Sequence, residues 1–309
     1  MGGWRVGFLR RWPLIAAPVL LACAGIVPAQ QADIRVNVRL VRLLVTVKDA
    51  AGGIVTGLDR SDFTVLDDGV RQEIAVFERQ TEQPLSVAML VDTSGSTGIE
   101  LKTESDSVVR FFNALIREGN PSDAAAFYTF NWQVTYGSYT RKLASLERDA
   151  RHLKSEAGTC LYDAIFYAAR EMEYREGRHV MIIVTDGDDT VSSKSFNEAM
   201  EAAQRADAVL YPIVVVPIRN DAGRNVGGEN ALTTMAQRTG GRVFTPAPGP
   251  ELDRAFSDVL RELRTQYLLG YYPRSIPPTA GVFHSIAVKL SRPELRPITR
   301  SGYYEDSER

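Results

Sequence analysis

The chain is poor in the residues that most catalytic and metal sites are built from. It has 309 residues with only two cysteines, three histidines and no basic run. His152, His179 and His284 stand far apart, with no serine, cysteine or acid at a recognisable catalytic spacing, so they read as surface or packing residues. No zinc-type His/Cys cluster appears, nor a phosphate-cradling glycine loop with lysine, nor a G-x-S-x-G elbow. Formal net charge is −2, and removing residues 1–29 takes away three arginines and no acid, leaving −5. A mildly acidic surface without a basic stretch matches nucleic acid and anionic lipid poorly. After residue 29 no apolar run is long enough to span a bilayer. Apolar residues make up 44% and charged residues 24%, which excludes wholesale disorder and leaves an ordinary globular chain.

The N-terminus follows a separate logic. Arg5, Arg10 and Arg11 precede an apolar stretch over residues 14–27, and Val27-Pro28-Ala29 ends in a small residue before Gln30-Gln31. This is the three-part pattern of a secretory signal peptide, with cleavage expected after Ala29. Pro13 and Pro18 interrupt the stretch, which is short for a transmembrane span. A competing reading is the lipobox-like Leu20-Leu21-Ala22-Cys23, which would leave Cys23 as a lipidated N-terminus, although Leu is large for its second position. Arg10-Arg11 invites a twin-arginine reading that the following Trp12-Pro13 does not suit. The exported product is expected in the periplasm, at the cell surface or outside the cell. Without its signal it holds Cys160 alone. No intrachain disulfide can then form, and the fold must rest on its core despite an oxidising compartment.

Three regions differ in hydrophobic period. Within an N-terminal β region, residues 30–83, the pattern alternates from Ile34 to Phe77 as half-buried strands do. Ile34, Val36, Val38 and Leu40 face one way, then the phase switches to Val41, Leu43, Val45 and Val47, which predicts a bulge or bend near Leu40-Val41. Ala51-Gly52-Gly53 and Asp67-Asp68-Gly69 are turn sequences, with strands at 63–66 and 74–77. Residues 84–264 alternate apolar runs (85–91, 124–130, 180–184, 209–216) with amphipathic stretches: 101–115 stopped by Gly119-Asn120-Pro121, one marked by Leu161, Ile165, Ala168 and Met172 and ending near Gly177, and 194–205, 230–238 and 251–263. That pattern predicts an open, mostly parallel sheet with helices on both faces. Residues 265–309 return to strands at 266–272, 283–290 and 298–304. A lone hairpin is marginal, so these strands are expected to pair with the N-terminal ones in a small antiparallel β unit.

The chemistry gathers at strand ends. Asp92, Ser94 and Ser96 lie at every second position where the first buried strand ends, with Gly95 letting the loop turn. A later buried strand ends in Val184-Thr185-Asp186-Gly187, and the loop before the helix holding Asp163 carries Thr159. In open α/β sheets, ligands sit outside the carboxyl ends of the strands. Carboxylates and hydroxyls are hard donors, which favours Mg²⁺, Mn²⁺ or Ca²⁺ over soft or thiophilic metals, and Mg²⁺ is the ion expected. Two charges and three neutral oxygens leave such an ion an open position for an external carboxylate.

These residues resemble the von Willebrand factor A-type domain with its metal-ion-dependent adhesion site. That family carries D-x-S-x-S, a distant Thr and a distant Asp in this chain order, matched by Asp92, Ser94, Ser96, Thr159 and Asp186. The likeness extends through Gly119-Asn120-Pro121-Ser122-Asp123, Leu161-Tyr162-Asp163-Ala164 and Thr239-Gly240-Gly241, covering residues 84–264. The flanks, at residues 62–69 and 266–272, look like exported bacterial proteins of the same kind. Thr97 stands where relatives often carry Met, away from the ligand positions. The resemblance implies a six-stranded sheet and metal-dependent capture of a protein partner presenting Asp or Glu, rather than catalysis. It also implies that the serines bond the ion directly and the acids act through water.

Two other readings stand beside it. One is a metal-dependent hydrolase using a metal-bound water, for which no acid–base partner is evident; the other is a domain whose metal serves only local order. Asp188 and Asp189 are candidates to extend the site. Cys160 is expected to pack under the loop, since a hard ion does not recruit a thiol. Tyr267, Tyr271, Tyr272, Tyr303 and Tyr304 are expected to serve sheet packing rather than a contact surface.

Overall fold

The computed structural model describes residues 40–79, 82–95, 101–215, 226–276 and 281–305. The signal peptide expected over residues 1–29, the bend expected near Leu40-Val41 with its strand at 34–40, and Ser96 fall wholly or largely outside these residues.

Strand β1 (Val41–Lys48) buries Val41, Leu43, Val45 and Val47, the alternating set read from the sequence. After the Asp49 turn, where the Asp49 carboxylate accepts the N–H groups of Ala51 and Gly53 at 2.9 and 2.8 Å, come β2 (Phe63–Asp67), β3 (Val70–Gln72) and β4 (Ile74–Glu78). Asp68 and Gly69 both have positive φ (45° and 81°), and Asp67 faces Val70. Positive φ at both central positions is the requirement of a tight hairpin turn, and Asp-Gly meets it.

Next comes the α/β part: β5 (Leu85–Asp92), α1 (Leu101–Glu118), β6 (Ala124–Phe130), β7 (Val134–Tyr136), α2 (Leu143–Arg151), α3 (Leu161–Met172), β8 (Arg178–Thr185), α4 (Phe196–Arg205), β9 (Ala208–Val214), α5 (Val226–Thr239) and α6 (Pro250–Thr265). The sheet order is β7-β6-β5-β8-β9, parallel except for the edge strand β7. Every residue of β5, β8 and β9 is buried, because helices cover both faces. Leu85, Val87, Met89 and Val91 pack with α1, α2 and α6, whereas Ala88 and Leu90 pack with α3, α4 and α5. Where six strands were expected, the described residues hold five, and a single parallel bridge joins Ile213 to Phe244 at the sixth position. Gly240-Gly241 bring the chain in too close there for side chains: a Cβ on Gly241 would clash with the Leu210 carbonyl of β9, and one on Gly240 would lie 2.8 Å from the Arg300 backbone nitrogen. Helix α2 and strand β7 were not read from the sequence.

Strands β10 (Tyr267–Tyr271), β11 (Phe283–Leu290), β12 (Arg296–Ile298) and β13 (Gly302–Tyr304) close the chain. β1 lies between β10 and β12, both antiparallel, giving the order β12-β1-β10-β4. A second sheet runs β13-β11-β2-β3. Leu43, Val45, Tyr267, Leu269 and Tyr271 of the first and Phe63, Val65, Ile286 and Val288 of the second share one core, making a small sandwich. The N- and C-terminal strands therefore interleave. The single strand expected over 298–304 is two strands in different sheets. The chain crosses between them at residues 299–301, because β12 pairs with β1 while β13 pairs with β11. Buried Glu262 of α6 ties the sandwich to the α/β part, accepting from Lys48 Nζ at 2.6 Å and Arg242 Nε at 2.7 Å. No helix among the described residues is long and apolar enough to cross a membrane.

Candidate metal centre

Parallel strands β5 and β8 run in register from Leu85↔Arg178 to Val91↔Val184, so both chains leave the sheet at the same edge. Asp92 and Thr185 are the last residues of their strands. The Asp92 side chain is completely buried and Thr185 is 1% exposed. Thr185 Oγ1 donates to Asp92 Oδ2 at 2.7 Å, and the Ser94 N–H donates to Asp92 Oδ1 at 2.8 Å. Both carboxylate oxygens are thus oriented by neighbours. Burial, against the hydrogen bonds from Thr185 and Ser94 and with the charge of Asp186 adding to the rise, holds the Asp92 carboxyl up at about 6. A divalent cation beside this carboxylate would reverse that balance.

The remaining loops are sewn to this edge. The Thr93 N–H donates to Phe130 O at 2.9 Å, and Thr93 O accepts the Glu156 N–H at 3.0 Å. Ser155 Oγ donates to Ser94 O at 3.0 Å. Thr159, 4% exposed, has its N–H on Thr190 Oγ1 at 3.0 Å, and its carbonyl takes the N–H groups of Thr190 and Val191 at 2.8 and 3.1 Å. The 155–159 loop therefore joins both the Ser94 loop and the loop after Asp186. Asp186, partly buried, accepts the Asp188 N–H at 3.4 Å. Of the five residues singled out, Asp92 at the end of β5 and Ser94, Thr159 and Asp186 on the adjoining loops thus lie at one sheet edge; Ser96 lies outside the described residues. Their oxygen donors are hard, and the chemistry of the set fits a divalent cation.

Two neighbours have structural duties. Asp189 Oδ1 accepts the Tyr162 N–H at 3.2 Å and the Ser192 hydroxyl at 2.5 Å, so it holds the first turn of α3 against the following loop. Asp163 clamps that loop from the other side through the Ser193 and Lys194 N–H groups at 3.1 and 2.7 Å. Cys160, 1% exposed at the start of α3, packs in the apolar core, where burial pushes its thiol up to about 12. Thr185 escaped the sequence reading. Its role follows from strand register, and the one local signal was its place directly before Asp186.

The model for the von Willebrand factor type A domain matches residues 86–257, more than half of the chain. The chain belongs to that family. Domains of this family often bind a divalent cation. Among curated proteins, none matches the sequence. Among solved structures, the vWF domain of the type V pili tip protein Mfa5 from Porphyromonas gingivalis is similar at 16% identity and TM-score 0.50, with 59% of this chain and 95% of that one covered. The pilus adhesin SpaC from Lactobacillus rhamnosus GG is similar at 8% identity and TM-score 0.49, over 81% of this chain and 48% of that one. At 16% identity the likeness to the Mfa5 domain speaks for the fold of this VWA chain and for nothing finer.

Proposed function

We propose that this VWA protein is an exported, non-enzymatic binding module. Its Asp92, Ser94, Ser96, Thr159 and Asp186 hold a divalent cation, Mg²⁺ before Mn²⁺ or Ca²⁺, that captures an Asp or Glu carboxylate of a protein partner. The observation that carries the reading is the buried Asp92 carboxylate, aimed by Thr185 and Ser94 at an edge that also carries Asp186. When bound, the ion supplies a positive charge with an open position for an external oxygen. The chain's own residues orient Asp92 and tether the surrounding loops. Export rests on the three-part N-terminal pattern, with a mature chain beginning near Gln30.

Calorimetric titration with Mn²⁺ tests the site. The double variant Ser94→Ala with Ser96→Ala is expected to lose most of the affinity while circular dichroism shows the fold intact, because Ser94 lies in the loop after β5 and belongs to no apolar core. Unchanged affinity would remove the assigned site. Affinity capture from envelope or culture fractions, with Mn²⁺ against chelator, then tests the partner. Capture that chelator does not diminish contradicts a bridging ion.

A further inference from the structure

We propose that the β-sandwich carries a second metal site, built from Asp67 and His284 with Asp68 orienting the imidazole and Glu305 beside it, that takes a borderline cation of the Zn²⁺ type. Residues 67 and 68 lie at the β2–β3 turn, His284 on β11 and Glu305 just after β13. Pairing of Ile286 with Asp67 and of His284 with Tyr303 brings these distant segments together. Asp67, Asp68 and His284 each place one ligand atom within 4.8 Å of the others.

Two observations lift this above a chance cluster of acids. Asp67 is fully buried; its Oδ2 accepts the Tyr271 and Tyr303 hydroxyls at 2.8 and 3.0 Å, while its Oδ1 has no hydrogen-bond partner. His284 is 3% exposed; its Nδ1 meets Asp68 Oδ2 at 2.8 Å, while its Nε2 makes no hydrogen bond and has Glu305 Oε2 at 3.5 Å. Buried polar atoms are nearly always satisfied, so a carboxylate oxygen and an imidazole nitrogen left over in one cluster call for a common partner. The Asp68–Nδ1 contact is the arrangement that orients metal-bound histidines and leaves Nε2 as the donor. The Tyr303 ring, stacked on His284 at 5.2 Å, holds the plane of the imidazole.

An imidazole with carboxylates suits Zn²⁺ better than Mg²⁺ or Ca²⁺. Tetrahedral ligands at about 2.0–2.1 Å from zinc lie roughly 3.4 Å apart, so side-chain rotation closes the present spacing. Water completes the shell. The bound ion would fasten the β2–β3 hairpin to the last strands, and so stabilise the sandwich by mass action.

The test uses the full chain, stripped of metal, with the rim silenced by Ser94→Ala and Ser96→Ala. One equivalent of Zn²⁺ is expected to bind and to raise the midpoint of thermal unfolding. His284→Gln should weaken binding by a hundredfold or more, on the order expected for loss of a metal ligand or its support. Should that variant fail to fold, X-ray absorption of the zinc-loaded parent decides, with one imidazole nitrogen expected at about 2.0 Å. Absence of zinc binding, equal zinc stoichiometry in folded His284→Gln, or a zinc shell without imidazole overturns the proposal. Each of those results leaves the rim site untouched.

Discussion

Replacing Thr185 by valine removes one hydroxyl and keeps the shape of the side chain. In this protein that hydroxyl has two jobs. It donates to Asp92 Oδ2 at 2.7 Å and accepts the Gly187 N–H at 3.1 Å. Both Thr185 and Asp92 are buried, so water does not take over the vacated positions. A hydrogen bond to a charged group contributes about 1.5–3 kcal/mol and a neutral one about 1 kcal/mol. The metal-free variant should therefore be less stable by roughly 2–4 kcal/mol. With Asp92 no longer held from one side, Mn²⁺ affinity should fall about 10–100-fold, the range seen when residues supporting metal ligands are lost. That corresponds to about 1.4–2.7 kcal/mol. Urea unfolding in chelator measures the first quantity and calorimetric titration the second. Thr185→Ser keeps the oxygen and should restore most of both. If Thr185→Val binds Mn²⁺ as the parent does and unfolds at the same urea concentration, the idea that Thr185 positions Asp92 is wrong.

Two further outcomes are expected. Glu198 closes the capping box of α4, accepting the Ser195 N–H at 2.9 Å, and this bond leads in holding its carboxyl down at about 2. A depressed folded-state pKa means that the contribution to stability is complete above the ordinary 4.5 and is lost as pH falls towards 2. The stability gap between parent and Glu198→Gln should therefore shrink across that window, and a carboxyl ¹³C titration midpoint near 4.5 would contradict the box. Phe112 is fully buried in α1, edge-on to Phe111 and Phe127 at 6.0 and 6.1 Å. Phe112→Ala should cost about 3–5 kcal/mol in urea unfolding, and a loss below about 1 kcal/mol would mean that this side of the sheet packs loosely.

Much of the architecture was legible in the chain. Four buried strands appear as apolar runs of the right length, and five of the six helices as periodic stretches. Helix α2 was harder, because it is only nine residues long and Leu146 and Ala150 are its only buried residues. β7 is a three-residue edge strand with little apolar signal. The family was readable from D-x-S-x-S and the later Thr and Asp, since motifs on tight loops are encoded by local spacing. The histidines were read as separate surface or packing residues. His179 does bond backbone carbonyls, with Arg175 O at 3.0 Å, but His284 meets Asp68 across 216 positions of sequence.

The sequence alone determined the periods, the turns and the order of the acid and hydroxyl residues. These depend on neighbours a few positions apart, where side-chain alternation and backbone sterics act directly. Only the tertiary structure decided what pairs with what. It placed β1 between strands from the end of the chain, divided the last stretch between two sheets, and set Thr185 against Asp92 through strand register. Those choices turn on burial and hydrogen bonding between segments far apart in sequence, which leave no local trace. The same is true of the Asp67–Asp68–His284 cluster, whose members are brought together by the sandwich alone.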